Sequence, residues 1–371
     1  MATSFFAKQT LPHIHKVVVY QPGKPVSELQ REYELTQISK LASNENPLGA
    51  SPKVAQAIQT ALADIGRYPD GHQFYLKQAL ADFLHLSSSQ IALGNGSNEL
   101  LSITARVFAG AGDEIIYSQY AFPVYAISTQ SVGATGVEVP ANHWGHDLEA
   151  MVEAITERTK LIYLANPNNP TGTFFGRAEW ENFIQKVPSH VIVVLDEAYT
   201  EYVTDPDFAN GLHYLGDYPN LLVSRTFSKA YGLAALRVGY MAGHPEVISY
   251  INRIREPFNI NHLAQVAAQV ALSDQAFVQQ TVTLNQQGMA TLTQFFDDMA
   301  FRYIPSQANF LCVRLGADAA EIHQALLQEG VIVRPVASQG TFAEFLRVSI
   351  GLPDENAHFM QALRHILNRS R

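Results

Sequence analysis

The sequence predicts an α/β protein: a large, mostly parallel β-sheet between helices, followed by a smaller α+β part. Three observations carry this. Short apolar, β-rich runs recur from about Gln90 to about residue 255, among them EIIYS, TGVEVP, KLIYLA, HVIVVLD, NLLVSR and RVGYMA. Near-continuous runs of this kind belong to strands buried on both faces, as in parallel sheets. Helical stretches lie between several of them, which is the alternation of a sheet covered on both sides. Beyond about Phe301, three short strand-like runs (NFLCVRL, VIVRPV, EFLRVSI) mix with two helical ones (AAEIHQALLQEG, ENAHFMQALRHILN), the pattern of a separate α+β unit.

Residues 1–50 read as irregular, with YQPGKP and NENPLG as turn-rich pieces. A helix is expected from Pro52 to Ile65, with Ser51 as N-cap and Pro52 in its first position. RYPDG makes a turn, and a second amphipathic helix covers His72 to Leu86. A long helical region rich in Ala, Gln and Leu runs from His262 to about Met299. At 371 residues, two to three domains are expected. The division is an N-terminal segment, 1–50, packing on both domains and on a dimer partner; a large domain, 51–260; and a long connecting helix with a small domain, 261–371.

Composition narrows the function. Hydrophobic residues make up 47% and charged residues 16%, as in a globular chain with a large core. The net charge is −9, and Lys and Arg are scattered singly, so nucleic acid is not an expected partner. Small anions need only a few placed cations and stay open. The single cysteine, Cys312, excludes an intrachain disulfide. His13 and His15 are the closest histidine pair and read as N-terminal surface residues, so no metal is expected. No signal peptide or membrane span is evident, and the expected location is the cytoplasm.

Four segments can carry chemistry. In SRTFSKAYGLAALRVGY (224–240) a strand ends in Thr226, Ser228 and Lys229, with Arg237 further on. Hydroxyls and cations there suit a phosphate, and a lysine of lowered pKa can attack a carbonyl. Alone, Lys229 reads equally as a surface lysine. In VIVVLDEAYTEY (191–202) an apolar strand runs into Asp196 and Glu197. Open α/β sheets bind ligands at such carboxyl ends, although Asp also caps helices. YLANPNNPTG (163–172) ends a strand in an Asn/Pro/Gly turn, the composition of any loop. ALGNGSNELL (92–101) leads from a short strand through a Gly-rich turn into a helix, whose first N–H groups suit an anion.

Together and in this order, these segments resemble the fold-type I enzymes that use pyridoxal 5′-phosphate, in the aminotransferase branch with an NPTG motif. The resemblance implies a seven-stranded sheet and a role for each residue. Lys229 holds the cofactor as a Schiff base and then moves the proton. Asp196 pairs with the ring nitrogen, Tyr199 and Asn169 bond the ring oxygen, and Phe122, in YAFPVY, stacks on the ring. Gly96, Ser97 and Asn98 offer backbone N–H groups to the phosphate, and Thr226, Ser228 and Arg237 complete its shell. Asn98 stands where Asp is usual in the branch, and Phe122 where Tyr also occurs.

Beyond this core, VVYQPGKPVSEL (18–29), SNENPLG (43–49), RYPDG, GVIVRPV (330–336) and FLRVSIG (345–351) resemble the histidinol-phosphate aminotransferase family. That implies histidinol phosphate as amino donor and 2-oxoglutarate as acceptor, in histidine biosynthesis. Arg334 and Arg347 sit inside apolar runs, a costly place for a guanidinium without an anion or an acidic partner. In the resembled family these positions grip the substrate phosphate and the carboxylates of glutamate. Tyr20 matches a tyrosine on the substrate phosphate. Tyr68 matches one that reaches the cofactor phosphate of the neighbouring subunit, so a homodimer is implied. Aminotransferases of phenylalanine and tyrosine share the cofactor residues and are the alternative, alone or as a second activity.

Overall fold

The computed structural model describes residues 5–19, 23–33, 35, 37–337 and 340–369. The first strand, β1 (Ser39–Lys40), pairs with a later segment and not with the main sheet. Next come β2 (Ile91–Gly94), β3 (Glu114–Ser118), β4 (Thr135–Val139) and β5 (Thr159–Ala165). They are followed by β6 (Ile192–Asp196), β7 (Leu221–Thr226) and β8 (Gly239–Gly243). These seven form one sheet in the order β2-β8-β7-β6-β5-β3-β4. β8 runs antiparallel to both neighbours, and the remaining pairs are parallel.

Successive side chains of these strands alternate between two cores, because a strand points neighbours to opposite faces. Leu161, Tyr163, Val194 and Leu222 pack with Leu100, Leu101 and Ile103 of the helix Ser97–Phe108. Ile162, Leu164, Val193 and Val223 pack on the other face with Trp180 and Phe183. At about 25 cal/mol per Å² of apolar surface, these two layers are the main support of the sheet. The edge strand β4 is half exposed and carries Glu138, the usual protection of an edge.

The C-terminal strands are β9 (Arg302–Ile304), β10 (Phe310–Arg314), β11 (Val331–Ile332), β12 (Arg334–Pro335) and β13 (Phe345–Ser349). Four of them form an antiparallel sheet in the order β12-β13-β10-β9, while β11 pairs in parallel with β1. Helices Ala319–Gln328 and Pro353–Arg369 cover this sheet through Leu326, Phe359 and Leu363.

Three expectations need correction. The N-terminal stretch is not wholly irregular: Phe5–Gln9 and Val26–Tyr33 are helices, the second anchored by buried Leu29. The helix starting at Pro52 runs only to Ala61 before a short 3-10 turn, although Ser51 caps it as expected, accepting the Lys53 N–H at 3.2 Å. The long helical region is two helices, His262–Ser273 and Gln275–Asp298. Asp274 breaks it: its carboxylate accepts bonds from Ser51 Oγ and, at 2.7 Å, from Lys53 Nζ. Among the described residues, no helix is long and apolar enough to cross a membrane.

Candidate active site

The carboxyl ends of the parallel strands open into a cavity of about 340 Å³. Ligands of open α/β sheets bind at this edge. Of the residues singled out from the sequence, Ser97, Asn98, Phe122, Asn169, Asp196, Tyr199, Thr226, Ser228, Lys229, Arg237, Arg334 and Arg347 all line it.

Asp196 and Glu197, adjacent in sequence, part company at the end of β6. Asp196 faces the cavity. Glu197 faces away and takes two bonds from buried Arg225, at 2.9 and 2.6 Å, and one from the Gly211 N–H at 2.6 Å. Asp196 is 5% exposed, and Tyr125 Oη donates to its Oδ2 at 2.9 Å. Its Oδ1 is buried without a partner among the described residues. A buried lone pair in that state calls for a donor from a bound group. Burial raises the Asp196 carboxyl to about 6, against the opposing pull of the Tyr125 hydroxyl. Tyr125→Phe removes that pull and therefore raises it further. The acid limb of cofactor uptake by the apoprotein is expected to move to higher pH in this variant. An unmoved or lowered limb contradicts the role given to Tyr125.

Lys229 follows β7, half-buried, and its Nζ donates to the Ser43 carbonyl at 3.1 Å. Burial lowers it to about 8, and nearby Arg347 pushes in the same direction. An appreciable share of the amine is thus neutral and nucleophilic near neutral pH. Its Nζ lies 5.7 Å from the centre of the Tyr199 ring. Tyr199 is held in turn by Asn44, whose Nδ2 donates to its Oη at 3.0 Å. Ser349 Oγ donates to Asn44 Oδ1 at 2.8 Å.

One end of the cavity is an anion cup. The helix Ser97–Phe108 begins there, and its first-turn N–H groups have no intrahelical acceptors. The Gly96 N–H is not one of the free donors, contrary to expectation, because it bonds the Gly94 carbonyl at 2.7 Å. Gly96 matters through its φ of +80° and its missing side chain, since a Cβ there would collide with the Arg237 guanidinium. Arg237 Nη1 donates to Ser228 Oγ at 3.3 Å and to the Ala234 carbonyl at 3.1 Å. Thr226 Oγ1 accepts the Ser228 N–H at 3.1 Å, closing the turn around the cup.

A second pair of cations lines the same cavity. Arg334 on β12 and Arg347 on β13 are direct cross-strand partners. Like charges placed so are unfavourable unless an anion lies between or beside them. Arg347 donates from Nη1 to Asn169 Oδ1 and from Nη2 to the Ala42 carbonyl, both at 2.6 Å. Those bonds fix the guanidinium and the NPTG turn together.

Tyr68, expected to act on the neighbouring subunit's cofactor, does not line this cavity. It is 83% exposed, stacks on Phe258 at 4.7 Å and lines a separate surface hollow. Tyr20 lies outside the described residues. Sequence reasoning also passed over Tyr125, Asn44 and Ser349. Tyr125 lies one helical turn beyond Phe122, and Asn44 sits in the SNENPLG motif, so both were within reach.

The chain is similar to known proteins over nearly its whole length. The profile for aminotransferases of class I and II matches residues 36–363. A protein of Hydrogenovibrio crunogenus named histidinol-phosphate aminotransferase 2 is 70% identical over 370 residues, covering 100% of this chain and 99% of its own. A Pseudomonas fluorescens protein of the same name is 53% identical, covering 96% and 97%. The histidinol-phosphate aminotransferase of Sinorhizobium meliloti, solved in complex with pyridoxal-5′-phosphate, superposes with a TM-score of 0.90 at 30% identity, over 98% of each chain.

Proposed function

The chain belongs to the class I and II aminotransferase family, and from that premise we propose that it transfers the amino group of L-histidinol phosphate to 2-oxoglutarate with pyridoxal 5′-phosphate as cofactor. The products are 3-(imidazol-4-yl)-2-oxopropyl phosphate and L-glutamate, a reversible step of histidine biosynthesis. One observation carries this reading: the opposed Arg334 and Arg347 line the cavity that also holds Lys229 and Asp196, separate from the cation of the phosphate cup.

The residues present fit the cofactor. The unpartnered Asp196 Oδ1 suits a protonated ring nitrogen. The helix start at Ser97 and Asn98, with Thr226, Ser228 and Arg237, suits its phosphate. Phe122 offers a ring face, and Tyr199 and Asn169 offer polar groups for the ring oxygen. When bound, the cofactor acts as an electron sink for the bonds at the donor's reacting carbon. Asp196, kept ionised by that pairing, holds the positive charge at the ring nitrogen. Lys229, with its lowered pKa, would take the proton from the reacting carbon and return it two atoms further along, on the far side of the amino nitrogen, as a 1,3-shift requires. Arg347, anchored on Asn169 and Ala42, orients the donor, and Arg334 supplies the second charge that a phosphate dianion needs. The same two forks suit the carboxylates of glutamate.

The functional unit in this reading is a cytoplasmic homodimer, with residues 51–260 and 261–371 as two domains and 1–50 packing across them. Exposed Tyr68, beside exposed Ile65 and Phe258, supports a partner surface there. Tyr68 reaches the partner's cofactor phosphate, and Tyr20 helps hold the substrate phosphate. Product analysis tests the chemistry. Glutamate forms one for one with the phosphorylated ketone and no CO2 is released. Release of CO2 without glutamate would mark a decarboxylase and overturn the reading.

A further inference from the structure

We propose that Tyr120 selects for a flat aromatic ring on the amino donor, a specificity role that rests on the function proposed above. Tyr120 lines the cavity together with Val336, Ala337 and Phe342, which follow Arg334 in the chain. The Tyr120 ring lies 4.5 Å from that of Phe342 and 5.6 Å from that of Trp144, and Trp144 stacks on Phe342 at 5.4 Å. Phe345 closes the group at 5.0 Å from Trp144. The four rings pack on buried Ile304 and Cys312, so they form a rigid apolar wall joining the large sheet to the C-terminal sheet.

Cofactor chemistry does not require this wall. The ring-stacking position is already supplied by Phe122, and Tyr120 sits two residues before it. The backbone at Tyr120 is nevertheless held in an unfavourable state, with φ of +55° in a non-glycine residue. Asn168 holds it there: its Nδ2 donates to the Tyr120 carbonyl at 3.0 Å and to Thr171 Oγ1 at 2.8 Å. Asn168 is 1% exposed and adjoins Asn169, so the wall is indexed to the same turn that meets Arg347. Maintained strain of this kind clusters where a side chain must be aimed at a ligand. The Tyr120 hydroxyl has no hydrogen bond among the described residues. A five-membered nitrogen heterocycle matches both features, since its faces and edges pack on aromatic rings and its nitrogens bond a phenol.

The test compares two phosphorylated donors on the holoenzyme, histidinol phosphate and a 2-aminoalkyl phosphate with no ring. Both use the arginines, and only one uses the wall. Wild type is expected to prefer the ring donor in kcat/KM. Tyr120→Leu is expected to shrink that preference by roughly tenfold, mainly through KM for the ring donor. Tyr120→Phe keeps the ring and restores most of it, the remaining deficit being the share of the hydroxyl, which falls on the ring donor and not on the ringless one. Asn168→Ala, which frees the backbone but leaves the ring in place, shrinks the preference in the same direction. If Tyr120→Leu lowers both donors by the same factor, the wall is structural and the inference is overturned. If wild type turns over neither phosphorylated donor, the functional reading fails first, so the two failures are distinguishable.

Discussion

Lys229→Ala is expected to lower amino transfer by roughly 10⁴-fold, the upper range for loss of a positioned acid–base group. Borohydride reduction followed by peptide mapping should place the cofactor's mass on the peptide containing Lys229 in wild type, and on no peptide in the variant. The size of the effect follows from the site's inventory. Lys229 is the only lysine lining the cavity among the described residues. No other amine there can take the proton, and the neighbouring cations are arginines, which stay protonated. Activity within tenfold of wild type would contradict the assignment.

The second large effect concerns Arg334. Arg334→Ala is expected to reduce kcat/KM for histidinol phosphate by roughly a hundredfold, about 2.7 kcal/mol, the scale of a charge-assisted fork to phosphate. Phenylalanine as donor has no phosphate and should lose far less. Arg347→Ala is the blunter variant. It also removes the donors to Asn169 Oδ1 and to the Ala42 carbonyl, so every donor suffers. Equal losses for both donors in Arg334→Ala would sink the phosphate assignment.

Much of this site was legible because its chemistry lies at strand ends. A run such as IVVLD shows where β6 stops, and the sheet brings its end beside those of β5 and β7. Segments 92–101, 163–172, 191–202 and 224–240 therefore meet in space although they span nearly 150 residues of chain. What stayed hidden depends on tertiary partners. The break at Asp274 answers to Ser51 and Lys53, more than 220 positions away, so no helix pattern near it can announce it. The helix Val26–Tyr33 buries only Leu29 among its eight residues, too few to mark a face. The left-handed backbone at Tyr120 is invisible in a sequence, because Tyr carries no preference for it. The separation of Asp196 from Glu197 was implicit in the two-residue period of a strand. Which of the two meets the cavity depended on the placement of Arg225.

The central claim is that this cavity serves a phosphorylated amino donor. The most direct measurement is a comparison of kcat/KM for histidinol phosphate and for phenylalanine, each with 2-oxoglutarate as acceptor, on the purified holoenzyme. The opposed Arg334 and Arg347 predict a preference for histidinol phosphate of at least roughly a hundredfold. A preference for phenylalanine, or none, would contradict it.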